Sequence, residues 1–124
     1  DFPLDNAPQT TADVRSRSCG STLSISLNSG SDGTVSAVGL RVVACAIGQA
    51  SSGLFAREAT GRTSADIERT RDAISLWLAG DAKQPEWAGI QALEAARAFP
   101  ARHEAILMPW RAAILALSNA KTPS

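Results

Sequence analysis

The residue pattern of the chain changes once, at Cys45, and this change limits the folds that the chain can adopt. Before Cys45, every second residue between positions 22 and 28 is apolar, and the residues between them are serine or asparagine. The apolar residues are Leu23, Ile25 and Leu27. A period of two is typical of a β-strand with one buried face. After Cys45 the sequence is rich in alanine and follows a helical period, so strands are expected first and helices afterwards.

A β-hairpin is predicted over residues 22–43. The segment NSGSDG, residues 28–33, supplies the Asn, Gly and Asp that favour a tight turn. Residues 34–43 are rich in valine and again alternate in part. Residues 1–18 are polar and contain two prolines without a clear period, which predicts an irregular N-terminal arm.

Three or four helices are predicted downstream of Cys45. The first covers about residues 46–60. The second begins at TSADIE, where Thr63 or Ser64 can cap it, and ends at Gly80. Its expected buried stripe is Ile67, Ile74, Trp77 and Leu78.

The last two helical segments contain most of the remaining apolar residues. A short helix after Pro85 is expected to bury Trp87, Ile90 and Leu93. The final helix is expected to carry one apolar face: Ala101, Ala105, Met108, Ala112 and Leu115. Pro109 predicts that this helix either begins there or is kinked there. The three tryptophans, at positions 77, 87 and 110, fall on these stripes and are interpreted as core residues.

The fold class that follows is α+β, with a small antiparallel β-sheet packed against three or four C-terminal helices. A length of 124 residues fits one domain with a real core.

Charge and hydropathy argue against two classes of partner. The chain has 12 basic and 12 acidic side chains, so it shows no net positive charge for nucleic acid or an anionic membrane. No apolar run reaches the roughly 18 residues of a membrane span. The N-terminal segment DFPLDNAPQTTADV lacks the features of a signal peptide, and a cytoplasmic location is expected.

Four residues are candidate metal ligands: Cys19, Cys45, His103 and Glu104. Thiolate and imidazole suit zinc and iron, and four ligands complete a tetrahedral site. Cys45 stands where strand gives way to helix, and the positive end of a helix favours the reactive thiolate. The alternative is that both cysteines are small buried hydrophobic residues and that His103 is a surface histidine.

Three segments, in order, resemble the NifU/IscU-type iron–sulfur cluster assembly scaffold family, especially its SufU-like branch. SCGS, residues 18–21, resembles the Cys-Gly-Asp of that family. ACAIGQASS, residues 44–52, is similar to its Gly-Cys followed by an Ala-Ser-Ser helix start. FPARHEAILMPWRA, residues 99–112, resembles the segment that leads into its third cysteine and a tryptophan-containing last helix. The resemblance covers roughly residues 14–118.

The resemblance implies one domain over residues 19–119 in which three loops meet at one exposed end. Cys19 and Cys45 would converge there on a two-iron cluster, iron or zinc. The implied partners are a cysteine desulfurase and iron–sulfur acceptor proteins. Oligomeric state is not implied.

Two family ligands are replaced in this chain. Ser21 stands where the family has the aspartate of Cys-Gly-Asp, and Ala105 stands where it has the third cysteine. In the IscU branch a histidine precedes that cysteine, at the position of Glu104 here. A shift of one residue, or a rearrangement near Pro109, would bring His103 into the site. The resulting set of two cysteines, His103 and either Glu104 or water suits zinc or a labile two-iron cluster.

Three functions follow from this pattern. The first is a scaffold or carrier for iron–sulfur clusters, which is not itself an enzyme. The second is a zinc-dependent sulfurtransferase, against which the missing third cysteine counts. The third is a degenerate family member that binds no metal and acts as an interaction or regulatory protein.

Overall fold

A computed structural model describes residues 10–16, 20–29 and 33–121, with backbone only for residues 120 and 121. In chain order the elements are β1 (Thr10–Arg15), β2 (Thr22–Ser29), β3 (Val35–Val43), α1 (Ala46–Ala59), α2 (Ser64–Leu78), two 3₁₀ helices (Ile90–Ala98 and Pro100–Arg102) and α3 (His103–Lys121). The α+β prediction of a small antiparallel sheet packed against helices is confirmed.

The sheet has three antiparallel strands in the order β1-β2-β3. The predicted hairpin is confirmed, with Thr22 opposite Val43 and Leu27 opposite Val38. The alternating apolar residues of β2 are all buried against the helices, as predicted: Leu23, Ile25 and Leu27.

The structure corrects the prediction of an irregular arm for residues 10–15, which form the edge strand β1. Thr10 and Ala12 are buried, and Thr10 donates a hydrogen bond through Oγ1 to the Ala116 carbonyl in α3, at 2.5 Å. The alternation was hard to detect because these inward residues are small or polar. The packed unit therefore includes Thr10. Residues 1–9, 17 and 18 of the expected arm lie outside the described part of the chain.

The first two helices agree with the sequence prediction. α1 begins directly after Cys45, and α2 is capped by Thr63. Thr63 Oγ1 accepts a hydrogen bond from the Asp66 N–H, while the Asp66 carboxylate accepts one from the Thr63 N–H, which is a capping box. The predicted stripe of α2 is buried: Ile67, Ile74, Trp77 and Leu78.

The short helix after Pro85 is a 3₁₀ helix, and the spacing of its buried residues explains why. Apolar side chains recur at every third position and are all buried: Trp87, Ile90, Leu93 and Ala96. A 3₁₀ helix has three residues per turn, so it places Ile90, Leu93 and Ala96 on one face, while Trp87 lies before the helix.

The predicted face of α3 is only partly correct. Ala105, Met108 and Ala112 are buried, whereas Ala101 lies exposed before the helix and Leu115 is 43% exposed. The helix begins at His103, so Pro109 lies inside it and does not start it.

The core lies between the sheet and the helices. Its centre is an aromatic cluster in which the rings of Phe55, Trp87 and Trp110 lie with centroids 5.2–5.7 Å apart. All three tryptophans are buried, as the interpretation of them as core residues requires. Among the described residues, no helix is both long enough and apolar enough to cross a membrane.

Candidate functional site

The strand register brings two segments of the sequence to the same end of the sheet. Thr22 pairs with Arg15 on one side and with Val43 on the other. The turn from β1 to β2 therefore lies beside the end of β3, because both pairings belong to one row of the sheet. The main-chain N–H of Ser16 donates to the Ser21 carbonyl at 2.8 Å and closes this turn.

Each of these two segments carries one cysteine. Cys19 belongs to the turn between Ser16 and Ser21 but lies outside the described residues, so its thiol is not placed. Cys45 follows β3 by two residues and is the N-cap residue of α1. Ser16 and Ser21, which flank the Cys19 segment in the chain, lie at the same end of the sheet as Cys45.

Cys45 has the surroundings of an accessible thiol at a helix start. It is half-buried, its backbone is extended, and its side chain makes no capping hydrogen bond. Its carbonyl accepts a hydrogen bond from the Gln49 N–H, at 3.0 Å. The first turn of α1 contains no acidic side chain.

The small residues after Cys45 allow α1 to pack closely against α3. A Cβ built on Gly48 would lie 3.6 Å from the Cβ of Ala105 and only 2.8 Å from that of Ala44. The Ser51 hydroxyl donates to the Ile106 carbonyl at 2.6 Å, and both residues are buried. These contacts bring the start of α3 beside the start of α1.

Glu104, in the first turn of α3, is the candidate ligand that the structure connects to the β1–β2 turn. Its Oε1 accepts a hydrogen bond from Ser16 Oγ at 3.1 Å, across 88 residues of sequence. Its Oε2 lies 3.7 Å from Nη1 of Arg111. The carboxylate therefore joins the turn that carries Cys19 to α3.

His103 is held by a different contact. Its Nε2 lies 2.9 Å from the Arg97 carbonyl in the preceding 3₁₀ helix. Because a carbonyl oxygen only accepts, Nε2 carries the hydrogen and Nδ1 is left as the nitrogen able to bind a metal.

Two family ligand positions hold other residues in the structure. Ala105, where the resemblance places a third cysteine, is fully buried between α3 and α1. Ser21, where it places an aspartate, is also buried. Within residues 10–16, 20–29 and 33–121, no three His, Cys, Asp or Glu side chains gather in a metal-binding group.

Sequence reasoning missed Ser16 and Arg111. Ser16 was missed because β1 was assigned to an arm. Arg111 follows Glu104 by seven residues, which is two helical turns and hence the same face of α3. That spacing would have identified Arg111 had the start of the helix been known.

The comparisons with known proteins give structural matches only. No protein-family model matches the chain, and no curated protein matches it significantly. The crystal structure of a nitrogen-fixing NifU-like protein (N-terminal) from Brucella abortus superposes with a TM-score of 0.89 at 32% sequence identity, over 98% of this chain and 85% of that chain.

Two further structures are more distant in sequence. One, from the thermophilic Fervidobacterium islandicum AW-1, is described as an iron–sulfur cluster assembly scaffold protein for the SUF system; it has a TM-score of 0.83 and 19% identity, over 94% of this chain and 85% of that chain. The other is a hypothetical protein with a TM-score of 0.72 and 17% identity, over 93% of this chain and 85% of that chain. At these identities the two structures support the fold alone.

Proposed function

The chain belongs to the NifU/IscU-type family of iron–sulfur cluster assembly scaffolds, and from this premise we propose that it is a scaffold or carrier that binds iron, a two-iron cluster or zinc through Cys19 and Cys45. The cluster or metal ion is the cargo of such a protein and not a fixed part of it. The protein itself would then catalyse no reaction.

The observation that carries this proposal is the arrangement of three segments at one end of the sheet. The pairing of Thr22 with both Arg15 and Val43 brings the Cys19 turn and the Cys45 segment together. The hydrogen bond between Ser16 and Glu104 adds the start of α3. Two thiols that converge at an accessible helix start, as proposed, would suit a soft metal.

The donor set fits such a cargo in part. Two thiolates supply half of the four protein ligands that a zinc ion or a whole two-iron cluster takes. Nδ1 of His103 and the carboxylate of Glu104 are the candidate further donors, and a second copy of the chain is another source. A site with only two thiolates is expected to release its cargo more readily than a four-cysteine site, which suits a carrier.

The proposed partners follow from the same function. A cysteine desulfurase would supply sulfur, and iron–sulfur acceptor proteins would receive the assembled cluster. A cytoplasmic location remains a prediction from the sequence.

A second candidate is a degenerate member that binds no metal and acts through protein contacts. The buried Ala105 at the third cysteine position favours it. A zinc-dependent sulfurtransferase is a third candidate, but Ala105 again stands where the family has its sulfur acceptor.

Metal and acid-labile sulfide content per chain, measured after anaerobic purification, tests the proposal. We expect iron with sulfide, or zinc, in the parent protein, lost in both Cys19→Ser and Cys45→Ser while circular dichroism stays unchanged. His103→Ala, run beside them, tests the imidazole as a further ligand.

Other results would favour the other two candidates. No metal in the parent after reconstitution with iron and sulfide would support the degenerate member. Zinc without sulfide, together with a persulfide that forms on one thiol, would support the sulfurtransferase.

A further inference from the structure

The outer edge of β1 can accept another strand. β1 is an end strand of the sheet, and within the described part of the chain no strand pairs with its outer side. The Ser16 N–H bonds the Ser21 carbonyl, so Ser16 and every second residue before it direct their main-chain polar groups toward β2. The residues between them, Asp13 and Arg15, therefore direct their N–H and C=O groups away from the sheet.

This edge carries two charges of opposite sign. Asp13 and Arg15 are both exposed, and because they are two positions apart their side chains lie on the same face of the sheet. The Asp13 carboxylate accepts a hydrogen bond from the Ser24 hydroxyl of the neighbouring strand, which holds it at this edge. Charged residues on an edge strand usually discourage pairing with another strand, but a strand with one charge of each sign can pair with itself.

A second copy of β1 fits the edge in one register. Antiparallel pairing centred on Val14 sets Asp13 of each chain opposite Arg15 of the other, because the two-fold axis repeats every contact. The outward main-chain groups of these residues then exchange hydrogen bonds in both directions. The neighbouring registers that also pair the outward groups are centred on Asp13 or on Arg15, and each places like charges opposite each other.

Helix α3 adds an exposed apolar residue beside the same edge. Asn119 Nδ2 donates to the Thr11 carbonyl at 3.4 Å, so the face of α3 that carries Asn119 borders β1. Leu115 lies one turn before Asn119 on that face and is 43% exposed.

The position of α3 on the sheet suits contact between two copies. α3 packs on both β1 and β2. If the sheet continued into a second copy, the two α3 helices would run antiparallel about two strand spacings, or roughly 10 Å, apart, which is close to the separation of packed helices. A helix at this distance would cover Leu115.

We propose that the protein forms a two-fold dimer through β1, in which the sheets of two chains join into one continuous sheet and Leu115 is covered at the interface. The dimer is expected to be weak, because the shared edge is short. β3, which leads to Cys45, is the strand farthest from this edge in each chain, so both Cys45 residues remain open to partners. The inference does not depend on which cargo the protein binds.

Sedimentation velocity at increasing protein concentration tests this inference through charge reversal. Reductant and a metal chelator are present, so that a disulfide or a shared metal does not hold the chains together. We expect the parent to shift from monomer toward dimer across the micromolar range. Asp13→Arg and Arg15→Asp should each weaken the dimer by about tenfold or more, since both attractive pairs become repulsive.

Two combinations of these changes should restore the dimer. The double variant Asp13→Arg/Arg15→Asp exchanges the charges and keeps them complementary, so it should dimerise like the parent. An equimolar mixture of the two single variants should form a heterodimer, because one chain then presents two arginines at the edge and the other presents two aspartates.

The matched controls lie on α2, outside the proposed interface. Asp72→Arg reverses an exposed charge there and should dimerise like the parent. Leu115→Gln should weaken the dimer by about threefold to tenfold, because it removes apolar area from the interface. Leu76→Gln changes a leucine that is 50% exposed and should have no effect. Thermal unfolding of every variant confirms that it is folded at the temperature of the measurement.

Three results would overturn the inference. A parent that stays monomeric at every concentration would exclude self-pairing at this edge. A dimer that Asp13→Arg weakens no more than Asp72→Arg would place the interface elsewhere. If neither the double variant nor the mixture of single variants dimerises, the loss in the single variants does not come from paired charges across β1.

Discussion

Gly48 and Ala105 meet where α1 crosses α3, so closely that a Cβ on Gly48 would lie 3.6 Å from the Cβ of Ala105. The same added carbon would lie 2.8 Å from the Cβ of Ala44. This contact lies three residues beyond Cys45 and at the family's third cysteine position. A Cβ at position 48 would thus make an ordinary contact with Ala105, and it is the approach to Ala44 that leaves no room for a side chain there.

Gly48→Ala is expected to destabilise the protein despite the better helix propensity of alanine. Overpacking costs about 1–3 kcal/mol, whereas alanine in place of a helical glycine contributes about 1 kcal/mol. The net loss of unfolding free energy, about 1 kcal/mol, is measurable by urea denaturation. Gly53→Ala is the control in the same helix, since its Cβ would meet only the flexible end of Arg57, at 3.4 Å. Gly53→Ala should be stabilising, and the same sign for both variants would contradict the close contact.

Ser51→Ala is expected to lower the free energy of unfolding more than Ser52→Ala. The Ser51 hydroxyl joins α1 to α3 through the Ile106 carbonyl, while the Ser52 hydroxyl bonds the Gly48 carbonyl of its own helix. Loss of the first bond should cost about 1 kcal/mol, and loss of the second about half of that or less, since such back-bonding contributes little to a helix. Chemical denaturation of the two variants provides the comparison, and equal losses would argue against the interhelical bond.

Ala105→Cys is expected to strengthen metal binding, because the resemblance places a third ligand there. With three thiolates in place of two, the thiolate-to-cobalt band should grow by about half and binding should tighten. Ala112→Cys puts a thiol two turns along the same helix, also at a buried position, and should leave the band unchanged. If the two variants behave alike, position 105 is not part of the site.

Asp66→Asn should reduce stability in a pH-dependent way. The hydrogen bond from the Thr63 N–H holds the pKa of the Asp66 carboxyl below its usual value. A lowered folded-state pKa means that the stabilisation is present above the unfolded-state pKa and is lost as the pH falls through the folded-state value. The deficit of Asp66→Asn should therefore be largest near neutral pH and shrink in acid.

Thermal unfolding from pH 7 to pH 2 measures this dependence. Asp72→Asn, an exposed acid outside the capping box, is the control. Thr63→Ala should cost about 1 kcal/mol, as loss of an N-cap usually does. A deficit in Asp66→Asn that stays constant over the whole pH range would exclude the capping box as its cause.

Cys19 and Cys45 should form a disulfide when the protein is oxidised without metal. Cys19 lies three residues before Thr22 in the chain and Cys45 two residues after Val43, and Thr22 pairs with Val43. If the two cysteines share a site, as proposed, their thiols come within the range of a disulfide. Titration of free thiols before and after oxidation should show two thiols becoming none. Two reactive thiols after oxidation would indicate that the cysteines lie apart.

The sequence alone determined the elements whose signals are local. Alternation in β2, the helix cap at Thr63 or Ser64 and the small residues after Cys45 each depend on neighbours within a few positions, because strand and helix periods repeat over that range. The same local signals placed Cys45 at the junction of strand and helix. The order of three motifs then sufficed for the family.

Tertiary structure alone decided the features that join distant parts of the chain. β1 is a strand because Thr10 and Ala12 pack toward α3, although the residues themselves give little hydrophobic signal. Leu115 is exposed because the helices and strands packed around α3 determine which of its faces is buried. The helical period of the sequence does not specify that choice.

The candidate site likewise combines residues that the sequence identifies with contacts that only the tertiary structure determines. Its cysteines could be named from the sequence, but the link from Ser16 to Glu104 spans 88 residues and depends on the final arrangement of sheet and helix. Hydrogen bonds of this kind have no sequence period, since they form only once packing has brought their partners together.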